Sequence, residues 1–187
     1  QIHSKLNGLR TLVNDDQNFD LTKIVALSEL FMKTFNSGGK IAFVGNGGSA
    51  AEAIHLAAEF TGKCVIDHKP LPVICLNESQ SALTAIVNDY GPSEMFSRLV
   101  EAHLRENDVL IALSTSGLSI NIINALDRAK KQNVKPILWT GINSPQHEGV
   151  EIWRVNHKST PRIQEIHLIW GHLLAELIEE LLSGLGK

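Results

Sequence analysis

The sequence predicts an α/β fold: one five-stranded parallel sheet with helices on both faces, in three layers. Three observations predict it. Five short apolar runs alternate along the chain with segments of helical periodicity. The main runs are continuously apolar, as in strands covered on both faces. At 187 residues and 43% hydrophobic content, the chain supports one well-buried core and not two ordinary domains.

The first twenty residues are expected to form a helix. A second helix is predicted from Asp20 to Phe35, stopped by Asn36-Ser37-Gly38-Gly39. Lys40-Ile41-Ala42-Phe43-Val44 reads as the first strand and breaks into Gly45-Asn46-Gly47-Gly48-Ser49. An alanine-rich helix then runs to Phe60. Pro72-Val73-Ile74-Cys75-Leu76 is a second strand, followed by helical segments at Gln80–Val87 and Ser93–Arg105. Asp108-Val109-Leu110-Ile111-Ala112-Leu113 is the third strand, and a helix to Lys131 follows its loop. Lys135–Trp139 and Glu151–Val155 complete the sheet, and the last helix covers Pro161 to Leu182. A single domain over residues 1–187 is expected, with an N-terminal helical region (1–36) and a core (40–182). Ligands of such sheets bind beyond the carboxyl ends of the strands, which points at the loops after Val44 and Leu113.

Net charge is −3 with scattered Lys and Arg, which disfavours nucleic acid as a main partner. No run reaches the length of a membrane span, and Gln1-Ile2-His3-Ser4-Lys5 lacks a signal-peptide core. Cys64 and Cys75 fall in separate elements, so a disulfide framework is not expected and a cytoplasmic location is.

The loop after the third strand is Ser114-Thr115-Ser116-Gly117-Leu118-Ser119. Four hydroxyls stand at a helix N-terminus, where unpaired amides and the helix dipole favour anions. One Ser or Thr would serve as a cap. Four around a glycine favour phosphate, and the lack of a Walker-type Lys argues against a nucleoside triphosphate. The Gly45–Ser49 turn departs from a dinucleotide fingerprint. Asn46 and Ser49, with backbone donors at Gly47 and Gly48, suit sugar hydroxyls.

His55 and Glu59 stand four apart, hence on one helix face. That spacing presents two ligands to a metal, or a base and its orienter to a substrate. Their apolar neighbours predict a largely buried helix, in which an idle charged pair is costly. The last helix carries Gln164, Glu165, His167 and His172. A core role suits His167. On a straight helix Gln164 and His172 are about 12 Å and about 80° apart, so shared service at one site requires a distorted helix or two subunits.

Gly45-Asn46-Gly47-Gly48-Ser49-Ala50, His55-Leu56-Ala57-Ala58-Glu59-Phe60, Asn88-Asp89-Tyr90-Gly91, Ser114–Ser119 and Arg162-Ile163-Gln164-Glu165-Ile166-His167 with His172 resemble, in that order, the phosphoheptose isomerases of the SIS (sugar isomerase) superfamily. The resemblance implies a flavodoxin-like SIS domain whose N-terminal helix packs in a homotetramer with active sites between subunits. It implies conversion of sedoheptulose 7-phosphate to D-glycero-D-manno-heptose 7-phosphate, toward the heptose of bacterial surface glycans such as lipopolysaccharide. It assigns phosphate to Ser114, Thr115, Ser116 and Ser119, and sugar contacts to Asn46, Gly47, Gly48, Asn88 and Asp89. His55, Glu59, Gln164 and His172 would surround one zinc ion, with Glu59 and His172 as the acid/base pair. Leu118 stands where the family usually has Asn, and Lys63 where it has a basic residue that helps with substrate. Residues 141–149 form a shorter stretch than usual. The expected chemistry is proton transfer through an enediol, with Glu59 as base, His172 acting at the oxygens and zinc polarising the carbonyl. Two other readings are a non-catalytic SIS phosphosugar-binding regulator, including the type that associates with the replication initiator, and an isomerase of another ketose phosphate. Retention of His55, Glu59, Gln164 and His172 together favours catalysis.

Overall fold

A computed structural model describes residues 1–184; positions 185–187 of the expected domain lie outside the described residues. The elements are α1 (Ile2–Val13), α2 (Leu21–Asn36), β1 (Ile41–Gly45), α3 (Gly48–Thr61), β2 (Val73–Cys75), α4 (Gln80–Tyr90), α5 (Met95–His103), β3 (Val109–Leu113), α6 (Ile120–Lys131), β4 (Lys135–Gly141), β5 (Glu151–Val155) and α7 (Thr160–Ser183). Boundaries agree with the sequence reading to within a few residues, except that the first helix stops at Val13 and a short 3-10 turn at Asp16–Asn18 fills the rest of the first twenty residues. Local chemistry sets several of them. Asp20 accepts from the amides of Thr22 and Lys23 and starts α2. Ser79 caps α4 through the Ala82 amide. Pro161 sits in the first turn of α7, and Gly184 closes it in a left-handed conformation.

The sheet order is β2-β1-β3-β4-β5, with every pairing parallel. The chain reverses its direction of winding between β1 and β3. Gly45 lies opposite Leu113 in that pair, so the two strands end level and their following loops flank one crevice. Side chains alternate between two cores. Ile41, Phe43, Val109, Ile111, Leu113, Ile137 and Trp139 face α2, α3 and α7. Ala42, Val44, Leu110, Ala112 and Leu138 face α5 and α6. On the first face Trp139, Trp153 and Trp170 pack with ring centroids 5.5–5.9 Å apart, and His167 joins them 5.6 Å from Trp170.

The N-terminal region is tied down by the buried Asn18. Its amide donates to the Leu12 carbonyl (3.0 Å), its Oδ1 accepts from the Asn156 amide (2.7 Å) and its carbonyl accepts from Trp170 Nε1 (2.6 Å). By contrast, α1 leaves Ile2, Leu6 and Val13 exposed.

Helices α3 and α7 lie side by side and run in the same direction. Gly48 meets Gln164 at their starts, His55 meets His172 midway, and Glu179 reaches the segment just past α3. The close approach rests on Gly171: a Cβ there would sit 2.1 Å from Leu56 Cδ2. Leu56 is fully buried, so any shift of its side chain would have to be taken up within the packed core. Only one face of α3 is buried, comprising Ser49, Glu52, Ala53, Leu56, Ala57 and Phe60. The expectation of a largely buried helix is thus corrected: Ile54 is 44% exposed and the His55 side chain 48%. The apolar residues on the open face do not reach the core.

Replacing Gly171 with Ala gains about 1 kcal/mol of helix propensity. Overpacking a filled core costs about 1–3 kcal/mol. Repacking the buried Leu56 is expected to outweigh that gain, and Gly171→Ala to unfold at lower denaturant concentration than the wild type. An unchanged midpoint would show that the two helices slide freely.

Candidate active site

Two groups of polar residues stand out, one at the strand tips and one along the α3–α7 seam. The strand-tip group is built around the two loops at the switch point. Asn77, just beyond β2, clamps the first glycine turn: its Oδ1 accepts from the Gly45 amide (3.1 Å) and its Nδ2 donates to the Gly45 carbonyl (2.9 Å). Asn46 makes a reciprocal amide pair with Asn121 of α6 at 2.9 and 3.0 Å, which ties the glycine turn to the hydroxyl loop. Gly47 and Gly48 stand where α3 begins.

In the hydroxyl loop, Ser114 Oγ is buried and accepts from the Gly117 amide, and Ser116 Oγ accepts from the Leu118 amide, both at 3.2 Å. Thr115 lies 3.4 Å from the Thr160 hydroxyl of α7. Ser119 is the N-cap of α6 but makes no side-chain cap bond, so its hydroxyl points to no helix amide. Gly117 has φ +65°, and a Cβ there would lie 1.9 Å from Ser144 Oγ. Only glycine fits. The short stretch after β4 thus seals the back of the loop, and His147 Nε2 donates to the Gly117 carbonyl (3.0 Å). Leu118 is 65% exposed. Asn88 and Asp89 occupy the last turn of α4, where Asn88 Nδ2 donates to Asp89 Oδ1 (2.7 Å) and both are exposed. Asn124 of α6 donates to the Ser93 carbonyl (3.0 Å), which holds the segment after α4 against α6.

The second group joins His55, Glu59 and His172. The two Nε2 atoms lie 2.9 Å apart, with the rings near perpendicular. Glu59 Oε1 is 3.5 Å from His55 Nε2. One ligand atom from each residue lies within 4.8 Å of the other two. Two imidazole nitrogens and a carboxylate oxygen converging on one point match the donor set of a catalytic zinc site, with a coordination position left open. The three residues therefore fit zinc. Gln164 is apart from them in the same chain: its Nε2 donates to Ser49 Oγ (3.3 Å) and packs on Gly48. The separation of Gln164 from His172 follows from a straight α7.

The two groups do not meet within one chain. α3 runs away from the strand tips, and Glu59 lies eleven residues beyond Gly48, about 16 Å of helix rise.

His167 is fully buried, and burial, against a smaller opposing pull from the Thr140 backbone, pushes its pKa down to about 3. It is a neutral core residue, as its surroundings in the sequence indicate. Glu165 pairs with Arg162 at 2.5 Å. The sequence reading passed over Glu52, which is 6% exposed and has only the Ser49 hydroxyl near its carboxyl group, with no hydrogen bond of good geometry to either oxygen. Burial pushes its pKa up to about 7, against a smaller opposing pull from the Ser49 hydroxyl. Asn77 and Asn121 were also passed over. The signal for Asn77 was its position directly beyond a strand end.

A model of the SIS domain family matches residues 7–141. The phosphoheptose isomerase of Thermodesulfovibrio yellowstonii is 43% identical over 168 residues, covering 89% of this chain and 83% of that protein. The solved phosphoheptose isomerase of Neisseria gonorrhoeae superposes with TM-score 0.87 at 34% identity, covering 96% of this chain and 97% of that one. That of Francisella tularensis gives 0.89 at 28%, with 96% of each chain covered. The chain belongs to the SIS domain family and, within it, to the phosphoheptose isomerases. Among the described residues, no helix is long and apolar enough to cross a membrane.

A carboxyl whose pKa rises on folding penalises the folded state once the pH passes its unfolded value, near 4.5 for Glu52. The penalty is complete above the folded value, about 7. Glu52→Gln is therefore expected to melt higher than the wild type at about pH 8, with the gap closing by about pH 4. Melting curves at the two pH values check this; a constant gap would remove the assignment.

Proposed function

We propose that this protein interconverts sedoheptulose 7-phosphate and D-glycero-D-manno-heptose 7-phosphate, an aldose–ketose isomerisation that supplies heptose for bacterial surface glycans such as lipopolysaccharide. The observation that carries the reading is the convergence of His55, Glu59 and His172 on one point in a chain that also carries a hydroxyl-lined loop at the sheet's switch point. The sequence kinship to phosphoheptose isomerases supports it further.

The reaction removes a proton from one carbon and returns it to the next. Glu59 is the base and His172 moves protons at the sugar oxygens. The hydroxyls and amides at Ser114, Thr115, Ser116 and Ser119 hold the phosphate with neutral donors at the start of α6. Asn46, Gly47, Gly48, Ser49, Asn88 and Asp89 contact the sugar. Anchoring the remote phosphate orients the reacting carbons. One zinc ion per site would be held by His55, Glu59 and His172, and when bound would supply Lewis-acid polarisation of the carbonyl.

A homo-oligomer, and specifically a tetramer, completes the site. About 16 Å of helix separates the base from the glycine turn in one chain, so a second copy brings its own loop to the cluster, and Gln164 would reach a metal held by His172 only from a different chain. Exposed Ile54, Val65 and Leu173 on the flanking surface support such cover, as do the exposed apolar residues of α1. A cytoplasmic location accords with a phosphorylated substrate and two free cysteines.

The test is an isomerisation assay over a panel of ketose phosphates, with metal analysis of the purified protein. Turnover of the seven-carbon ketose phosphate above the others is expected, with bound zinc. Glu59→Gln and His172→Gln should fold normally and lose at least about 100-fold in kcat; near-normal turnover in either removes that role. Ser116→Ala with Ser119→Ala should raise KM by about 10-fold or more. An unchanged KM removes the phosphate assignment.

A further inference from the structure

The glycine turn after β1 is held from two sides by carboxamides of neighbouring elements. Asn77 closes a ring with the Gly45 amide and carbonyl (3.1 and 2.9 Å). Asn121, in the first turn of α6, takes the next residue. Its Oδ1 accepts from Asn46 Nδ2 (2.9 Å), and its Nδ2 donates to Asn46 Oδ1 (3.0 Å). The same Oδ1 accepts from the Ile122 amide (3.0 Å). That third bond settles which end of the Asn121 carboxamide is oxygen, so the pair has one orientation.

The pair joins the start of one helix to the start of another. The Asn46 carbonyl accepts from the Ser49 amide (3.0 Å) and the Ala50 amide (3.3 Å), so Asn46 carries the first turn of α3. Asn121 lies two residues past Ser119, the last hydroxyl of the loop. With the pair made, Asn46 keeps one Nδ2 hydrogen for a ligand, and Asn121 sets its direction. Beside it the exposed Gly47 and Gly48 amides have no acceptor among the described residues, as befits the open donors of a helix start.

We propose that Asn121 is a positioning residue of the isomerase site: through its two bonds to Asn46 it holds the sugar donors of the glycine turn at a fixed distance and orientation from the phosphate donors that open α6. This rests on the reading that phosphate sits at Ser114–Ser119 and the sugar at Asn46–Gly48. A substrate that reaches both loops gains from the second contact only while their spacing is held.

Asn121 also has a local task, its bond to the Ile122 amide, and two variants separate the tasks. Asn121→Asp keeps an oxygen for that amide and adds negative charge to the first turn of α6, which favours the helix. It breaks the pair, because Asp has no hydrogen to give Asn46 Oδ1. If the Asn46 carboxamide turns over, two acceptors still face each other. Asn121→Ala removes both tasks and adds no charge. The experiment combines hydrogen exchange at the Ser49 and Ala50 amides with steady-state kinetics on the full chain, with inorganic phosphate as a competing ligand. Both variants should lose protection at these amides. In Asn121→Ala, kcat/KM for the seven-carbon ketose phosphate should fall by about 10-fold, while inhibition by inorganic phosphate stays close to that of the wild type. In an Asn46→Ala background, Asn121→Ala should cost little further, because the effect runs through Asn46. Wild-type protection in Asn121→Asp would overturn the proposal, since the bond to Ile122 alone would then hold the turn. Inhibition by inorganic phosphate that weakens in step with kcat/KM would overturn it too, as would an undiminished loss in the Asn46→Ala background. If Asn121→Ala fails to fold, Asn121→Ser, too short to make both bonds, carries the same comparison. Were the wild type inactive on every ketose phosphate, the function reading would fall on kinetics alone, while hydrogen exchange would still decide whether Asn121 holds the turn.

Discussion

The seating of Leu56 over Gly171 sets the distance between α3 and α7, and much of the chemistry follows from that distance. A side chain at 171 would run into the Leu56 methyls, so either Leu56 or the helix spacing would have to shift. Any widening of the seam would part His55 and His172, whose Nε2 atoms lie 2.9 Å apart across it. The same parallel course gives the seam three stations. Gln164 meets Ser49 at its start, the two histidines meet midway, and Glu179 takes the amides beyond α3 at its end. A hydrophobic contact thus fixes the register of three polar ones.

Three carboxylates near this seam differ by surroundings alone. Glu52 is buried with no hydrogen bond of good geometry and is pushed toward neutrality. Glu179 is buried just as deeply but surrounded by amides and stays ionised. Glu59 is partly open and flanked by histidine. Burial raises a carboxyl, and donors aimed at it reverse the effect. Which term wins depends on how many amides the backbone turns toward the group. A residue count cannot supply that number.

Much of the architecture was legible. Continuous apolar runs such as Ile41–Val44 and Val109–Leu113 are buried on both faces, so period and flanking turns were enough to find them. The hydroxyl loop was legible because four hydroxyls around Gly117 exceed what a cap needs. The partners of the site were harder. Asn77 and Asn121 act through contacts across the sheet's end; Asn77 is marked only by its place just beyond a strand, and Asn121 by nothing local. The open face of α3 was misread because Ile54 and its neighbours look like core residues in a single sequence, whereas surface awaiting a second chain has the same composition. The place of Gln164 relative to His172 depended on whether α7 bends, which helix periodicity leaves undecided.

The crowding of indoles on one side of the sheet has an experimental consequence. The chain's three tryptophans all stand in the cluster formed by β4, β5 and α7. Intrinsic emission from this protein is therefore the voice of a single locality. It will follow loosening of that wall, with the imidazole of His167 as a built-in neighbour of the emitters, and stay silent while the glycine turn rearranges elsewhere. A dye or an engineered indole near Asn77 would be needed to hear events at the other edge.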